Sequence, residues 1–360
     1  MPTRRLLILS ASMGAGHDGV AGELARRLAT GGVDAEVIDV LDLLPLRLGG
    51  ALRWWYGWMM RTAPWLYAVI YRVFFVSDRA PSTSPLTALA AARLERLVRR
   101  RPPAAVVSTF HLAAQVTGHL RERGRLSVTS TVLLTDFAVH RLWLHPGNDG
   151  YLCPTAAAAL GVTAATGRPA SCHAPVVREE FRRPGADPAQ VRSRIGARPD
   201  DRLVLISTGA WGVGRAERTA RVLVRSGRYV PVVLCGNNGR LLRRLRGAGG
   251  GVVALGWRDD LPELMAAAHA VVDNAAGLTC TEALAAGVPV ISYLPIPGHG
   301  RAGARAMARA GLSVHASDAA SLLGALDRLA DSSERDRQIA RGTALFSSPP
   351  AEALLAHPTV

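Results

Sequence analysis

Short unbroken apolar runs alternate with longer stretches in which apolar residues recur every three to four positions, almost throughout the 360 residues. The runs read as strands buried on both faces, and the spaced stretches as helices with one apolar side. In the first half the pattern predicts strands over 6–10, 35–40, 104–109 and 128–134, and helices over 19–29, 86–100 and 112–123. The second half repeats it, with strands over 203–207, 230–235, 252–255 and 288–293 and helices over 216–225, 239–246 and 261–268. Alternation of this kind builds a parallel sheet with crossover helices. The expected fold class is α/β, with two Rossmann-like, doubly wound domains. Such sheets bind ligands at the carboxyl ends of their strands, so the two are expected to face a central cleft.

Two segments break the pattern. Residues 178–201 are rich in Pro, Arg and Asp, lack strand character and read as a linker. Between 54 and 75 the chain concentrates Trp54, Trp55, Tyr56, Trp58, Trp65, Tyr67, Tyr71, Phe74 and Phe75. Arg61, Pro64 and Arg72 interrupt this run, whereas a membrane-spanning helix needs about 20 mostly apolar residues. Aromatic rings at headgroup depth, with arginines reaching lipid phosphates, suit the composition better. The alternative is a helical hairpin buried against its own domain.

Composition narrows the partners. All 43 basic side chains are arginine, against 28 acidic ones, for a net charge of +15. Arginine-only usage fits a coding bias, yet the excess favours anionic partners: phosphates, an acidic leaflet or nucleic acid. Nucleic acid is disfavoured, because the arginines are scattered and no nucleic-acid motif accompanies them. Cys153, Cys172, Cys235 and Cys280 are widely spaced. That argues against a disulfide framework or a zinc site and for a reducing cytoplasm. The apolar run near the N-terminus is too short for a signal-peptide core and reads as the first strand.

The first chemistry-bearing stretch follows that strand. Gly14, Gly16 and Gly19 form G-x-G-x-x-G, and Asp39 lies about 20 residues on, as a dinucleotide fingerprint requires. A nicotinamide-dependent enzyme is therefore a rival on this half alone. Against it stands His17, an ionisable group at the expected loop tip and a potential base; otherwise it is a helix-entry residue bonded to nearby backbone. Asp136 and His140 follow the strand 128–134, close to Trp143 and His145. Asp136 could orient His17, bind a hydroxyl or simply cap the next turn.

In the second half, two strand-to-helix junctions stand at 256–265 and 273–282. Small residues at Ala275, Ala276 and Gly277 would leave backbone N–H groups open to a diphosphate at a helix N-terminus. Glu282, read as lying in the first turn, could take two hydrogen bonds from a ribose diol. Thr279-x-x-Glu282 reads equally well as a capping box. A third, glycine-rich loop over 207–214 carries Gly209, Ala210 and Trp211.

Together these motifs resemble the family of monogalactosyldiacylglycerol synthases and processive diacylglycerol glucosyltransferases. More distantly they are similar to the peptidoglycan N-acetylglucosaminyltransferase that makes lipid II. The carriers are SASMGAGH, TDFAVHRLWLHPG at 135–147, STGAWGVG at 207–214, LCGNNGRL at 234–241, GWRDDLPELMAAA at 256–268 and GLTCTEALAAGVPVI at 277–291. The resemblance implies the GT-B fold and an inverting, metal-independent transfer. A hexose or N-acetylhexosamine would pass from a UDP-sugar to a lipid hydroxyl such as that of diacylglycerol, with no cofactor. Domain 1–177 would then hold acceptor and membrane, 178–201 would link, 202–343 would bind the UDP-sugar, and the tail 344–360 would return to the first domain.

Residue by residue, the resemblance makes His17 the base and Asp136 a cleft carboxylate. Trp257 and the backbone of Arg258 would hold the uracil; Ala276, Gly277, Leu278 and Thr279 would line the diphosphate, and Glu282 would hold the ribose. Gly209, Ala210, Trp211 and His299 complete the donor side. Gly14, Gly16, Trp54, Trp55, Trp58, Trp65, Tyr71, Phe74 and Phe75 fall on the acceptor and membrane side. The implied partners are a UDP-sugar, a lipid acceptor and an anionic membrane surface, not nucleic acid, with the protein peripheral on the cytoplasmic face of the plasma membrane. One loop departs from the pattern: where the family has PGQE followed by an Asn, this chain has His299, Gly300 and Gly303 for Gln, Glu and Asn. The departure motivates a second reading, a catalytically weakened nucleotide- or lipid-binding relative.

Overall fold

The computed structural model describes residues 5–77, 84–330 and 332–356. The chain divides into two compact units, one of residues 1–176 with 347–360, the other of residues 177–346. The first unit is built on six parallel strands: β1 (Arg5–Ser10), β2 (Asp34–Asp39), β3 (Ala105–Ser108), β4 (Thr129–Leu133), β5 (Gly150–Cys153) and β6 (Ala170–Cys172). Their order is β2-β1-β3-β4-β5-β6. The chain leaves β1 in one direction and resumes at β3 in the other, so the crevice beyond β1 and β3 is the topological switch point. All six residues of β1 are buried, as a central parallel strand covered on both faces requires.

The second unit repeats the architecture with β7 (Leu203–Ser207), β8 (Val230–Leu234), β9 (Val253–Leu255), β10 (Ala270–Asp273), β11 (Val290–Tyr293) and β12 (Val314–Ala316). These are also parallel, in the order β12-β11-β10-β7-β8-β9. Its switch point lies between β7 and β10. Val204, Ile206, Val233, Val272 and Ile291 meet Leu223, Leu241 and Leu326 from the covering helices in one core. The α/β class and the doubly wound sheets are as expected.

Several local expectations need correction. The first helix runs over Ala15–Thr30, four residues earlier than the pattern suggested, because Gly16 and Gly19 dilute its apolar periodicity. Residues 178–201 are more than a linker. They carry a 3-10 turn, Glu179–Phe181, and a short helix, Pro188–Arg194, with Phe181 and Val191 buried in the second unit. Asp187 caps that helix through the Ala189 N–H at 3.0 Å with Pro188 at its first position, a start signal easily taken for loop chemistry in so short an element. The aromatic segment folds as helices Leu48–Thr62 and Pro64–Ile70 and a π-helical turn, Tyr71–Val76. Near the C-terminus, Pro350 bridges Ala174, and Glu352 of helix Ala351–Ala356 lies 3.7 Å from Arg27. Residues 357–360 of the expected tail lie outside the described residues.

Candidate functional site

In the first unit three strand ends converge on His17. The chain turns out of β1 through Gly14, whose φ of +119° is a conformation L side chains rarely adopt. His17 therefore sits in the first helical turn, not at a loop tip. Its Nδ1 lies 3.2 Å from the carbonyl oxygen of Thr109, just beyond β3, and 3.0 Å from Oγ1 of Thr135, beyond β4. A carbonyl can only accept, so as a hydrogen bond this contact calls for the tautomer with its proton on Nδ1, which leaves the lone pair on Nε2. Phe110 meets the imidazole edge-on at 4.9 Å. The histidine is bonded to backbone, as the structural alternative had it, but to backbone 92 residues away.

Asp136 does not orient His17. Its Oδ2 accepts the indole N–H of Trp143 at 3.0 Å. Asp39, the carboxylate a dinucleotide site would need, is also committed. It accepts from the Leu41 N–H at 2.8 Å, from the Ser12 N–H and hydroxyl, and from Arg53 at 2.9 Å. It thus ties the glycine turn to the aromatic hairpin.

The hairpin divides its rings between two sides. Trp54 and Trp65 are 69% and 67% exposed, and Trp55, Trp58 and Phe74 are exposed with them, alongside Arg61 and Arg72. Tyr71 and Phe75, expected on the same surface, turn inward instead. They stack on each other at 5.0 Å, and Phe75 meets His140 at 4.8 Å and His111 at 5.2 Å. Tyr71 and Phe75, four positions apart, share one side of the turn, with the exposed Val73 opposite them and Arg72 and Phe74 to either side. No helix among the described residues is long and apolar enough to cross a membrane.

In the second unit the loops after β7 and β10 flank the switch point. The β7 loop bends through Gly209, Gly212 and Gly214 at positive φ, and Gly209 and Ala210 pack so near Gly236 that a Cβ there would meet their carbonyls within 3 Å. After β10, Oδ2 of Asp273 accepts the N–H groups of Ala275 and Ala276 at 2.7 and 2.5 Å. Those two donors are spent, contrary to expectation. The free donors at the start of helix Leu278–Ala285 are the N–H groups of Gly277, Leu278 and Thr279. Ala276 holds a left-handed φ of +53°, backbone strain of the kind that collects at ligand sites.

Gly277 is the N-cap and no side chain caps this helix, so the Thr279-x-x-Glu282 box does not form. Glu282 begins the second turn, two positions deeper than a box headed by Thr279 would put it. It keeps some surface access but is enclosed by protein on most sides. Burial pushes its carboxyl up from 4.5 to about 7, against the pull of the Arg178 charge. Sequence reading passed over Arg178; its only signal was a cation at the head of the segment read as a linker. Between pH 4.5 and 7 the folded protein holds a proton at Glu282 that the unfolded chain releases. Stability should therefore fall as pH rises through that window and level off above it. Melting temperatures of the wild type and Glu282→Gln check this: the difference between them should grow from pH 4.5 to 7, and parallel curves would refute it.

Trp257 is 54% exposed. The Arg258 side chain is engaged by Asp260, Nε to Oδ1 at 2.7 Å, which raises its guanidinium further and leaves the backbone of this turn for a ligand. His299 is the first residue of helix His299–Arg309, entered through Gly298 at φ +77°. The unusual glycines behind it have a packing reason. A Cβ on Gly300 would lie 2.7 Å from the Asn274 carbonyl, and one on Gly303 would lie 2.6 Å from the Ala276 Cβ. The helix rests on the 274–276 loop more closely than any longer side chain allows. Among the described residues no three or more His, Cys, Asp or Glu side chains gather as a metal-binding group.

Residues 17–165 match the family model described as monogalactosyldiacylglycerol (MGDG) synthase, and residues 216–332 match glycosyl transferases group 1. The chain is 29% identical over 213 residues to the processive diacylglycerol beta-glucosyltransferase of Bacillus licheniformis, covering 57% of this chain and 55% of that protein. It thus spans little more than half of that relative's length. To the enzyme of the same name in Bacillus mycoides it is 27% identical over 310 residues, covering 82% and 77%. Among solved structures, MurG of Acinetobacter baumannii superposes with a TM-score of 0.59 at 13% identity, covering 99% of this chain and 98% of that one. The resemblance read from the sequence therefore holds as a likeness: the chain has the GT-B fold, its first half matches the monogalactosyldiacylglycerol synthase model, and its second half matches group 1 glycosyl transferases.

Proposed function

We propose that this protein is an inverting glycosyltransferase that moves a hexose or N-acetylhexosamine from a UDP-sugar to a lipid hydroxyl such as that of diacylglycerol, docked on the cytoplasmic face of the membrane. One observation carries the reading: His17 has its Nδ1 proton fixed by the Thr109 carbonyl, so Nε2 is held ready to accept a proton. The acceptor hydroxyl gives its proton to Nε2 while its oxygen attacks the anomeric carbon. The bond from that carbon to the diphosphate oxygen breaks, and UDP leaves with the electron pair. The N–H groups of Gly277, Leu278 and Thr279, with the positive end of their helix, meet the diphosphate charge. Glu282 accepts from the ribose hydroxyls, and Trp257 with the Arg258 backbone holds the uracil. Gly209, Ala210, Trp211 and His299 border the donor sugar. Gly14 and Gly16 admit the acceptor to His17, with Asp136 as a second polar contact. UDP release from UDP-glucose, UDP-galactose and UDP-N-acetylglucosamine, measured with and without diacylglycerol vesicles, tests the reading. It fails if no donor gives acceptor-dependent release.

The exposed Trp54, Trp55, Trp58, Trp65 and Phe74 with Arg61 and Arg72 form the docking face in this proposal. Flotation with vesicles should depend on acidic lipid and fall with salt, because arginine–phosphate attraction is screened. Equal flotation with neutral and acidic vesicles would remove the electrostatic part. The close packing of Gly300 and Gly303 favours one second reading, a weakened relative that binds nucleotide without turnover. UDP binding with no transfer to any acceptor would select it.

A further inference from the structure

Asn274 lies one residue beyond β10 and is only 7% exposed. Three loops meet on it. Its Nδ2 donates to the Val213 carbonyl at 3.0 Å, across the switch point from the β10 loop to the β7 loop. Its own carbonyl accepts the Ile296 N–H at 2.8 Å, which holds the loop after β11. Gly214 comes so close that a Cβ there would lie 2.1 Å from Nδ2. The Val213 carbonyl fixes the amide orientation, since only the NH₂ can face it. Oδ1 then points elsewhere, and it is buried without a hydrogen-bond partner. A buried amide with an orphan acceptor is a poor stabiliser; an apolar side chain would hold the core as well.

From this we infer that Asn274 is a positioning residue for the nucleoside diphosphate, clamping the glycine loop after β7 to the loop that opens helix Leu278–Ala285. The inference rests on the proposed donor site. The clamp sets the backbone around Val213 and Gly214 against the N–H donors of Gly277, Leu278 and Thr279, so a diphosphate meets both loops in one fixed arrangement. The uracil and ribose contacts, at Trp257, Arg258 and Glu282, lie outside the clamp. Its loss should therefore be felt by the phosphates and not by the nucleoside.

The test compares UDP affinity by calorimetry, uridine affinity by ligand-observed NMR, and melting, for the wild type, Asn274→Ala, Gly214→Ala and the double variant. Asn274→Ala should weaken UDP roughly three- to tenfold, the scale of one hydrogen bond, with uridine unchanged within about twofold. Gly214→Ala should weaken UDP as well. The double variant should be no worse than Gly214→Ala alone, because both act through one contact. Should Asn274→Ala melt below the assay temperature, the same split is required of Asn274→Ser, which is too short to reach Val213. Unchanged UDP affinity, or equal loss of UDP and uridine, overturns the clamp. A wild-type protein that binds neither ligand overturns the donor-site reading beneath it.

Discussion

His17→Ala is expected to lower turnover by roughly 10²–10⁴-fold, the usual loss with a general base, while UDP affinity changes by less than about twofold. The geometry makes the effect specific to the chemical step. Nδ1 is occupied by the Thr109 carbonyl at 3.2 Å and neighbours the Thr135 hydroxyl at 3.0 Å, so the imidazole has one orientation and one free nitrogen. Every residue assigned to the nucleotide belongs to the other unit, built from 177–346. Single-turnover rates and calorimetry with UDP on the same preparation read the two effects apart. Near-normal turnover would pass the role of base to Asp136. Joint loss of turnover and UDP binding would place the nucleotide at the Gly14 turn and restore the dinucleotide reading, despite the commitment of Asp39 to Ser12, Leu41 and Arg53.

Glu282→Ala should weaken UDP by ~1.5–3 kcal/mol, the range for hydrogen bonds to a charged group, or roughly ten- to a hundredfold in affinity. Had Glu282 completed a capping box, the same loss could have come from a frayed helix. The structure removes that confusion, because the helix starts at Gly277 and no side chain caps it. Deleting a buried carboxyl whose ionisation is opposed by burial should leave the melting temperature level or raise it at pH 8. Calorimetry at that pH, where the group is ionised, is the measurement. UDP affinity equal to the wild type would strip Glu282 of the ribose role.

The sheets were legible because fully buried parallel strands read as unbroken apolar runs, as RLLILS and LVLIS do. β5 and β6 were not, since GYLC and ASC are too short and too mixed to show a period. In the candidate site, the residue types could be read but their partners could not. Gly277 and Thr279 compete as the start of one helix, and the backbone φ, not the motif, decides between them. Orienting His17 was one of three roles open to Asp136, yet its carboxylate is drawn to Trp143, seven positions along. A backbone carbonyl leaves no trace in a sequence, so the group that orients His17 was invisible there. Gly300 and Gly303 looked like lost contacts; only the packed helix reveals that they permit a close approach to Asn274 and Ala276.

The chain crosses from the first unit to the second near residue 176 and back near 347. The last described helix then covers the first, with Ala351 and Leu355 buried and Pro350 bridged to Ala174. In the order of synthesis, the 177–346 unit is complete as soon as it leaves the ribosome, while the unit begun first must wait. Its β-sheet emerges early, but the surface of helix Ala15–Thr30 that receives Ala351–Ala356 stays open until residues 351–356 arrive. The unit that holds His17 therefore reaches its finished form last, after the unit proposed to bind UDP has folded.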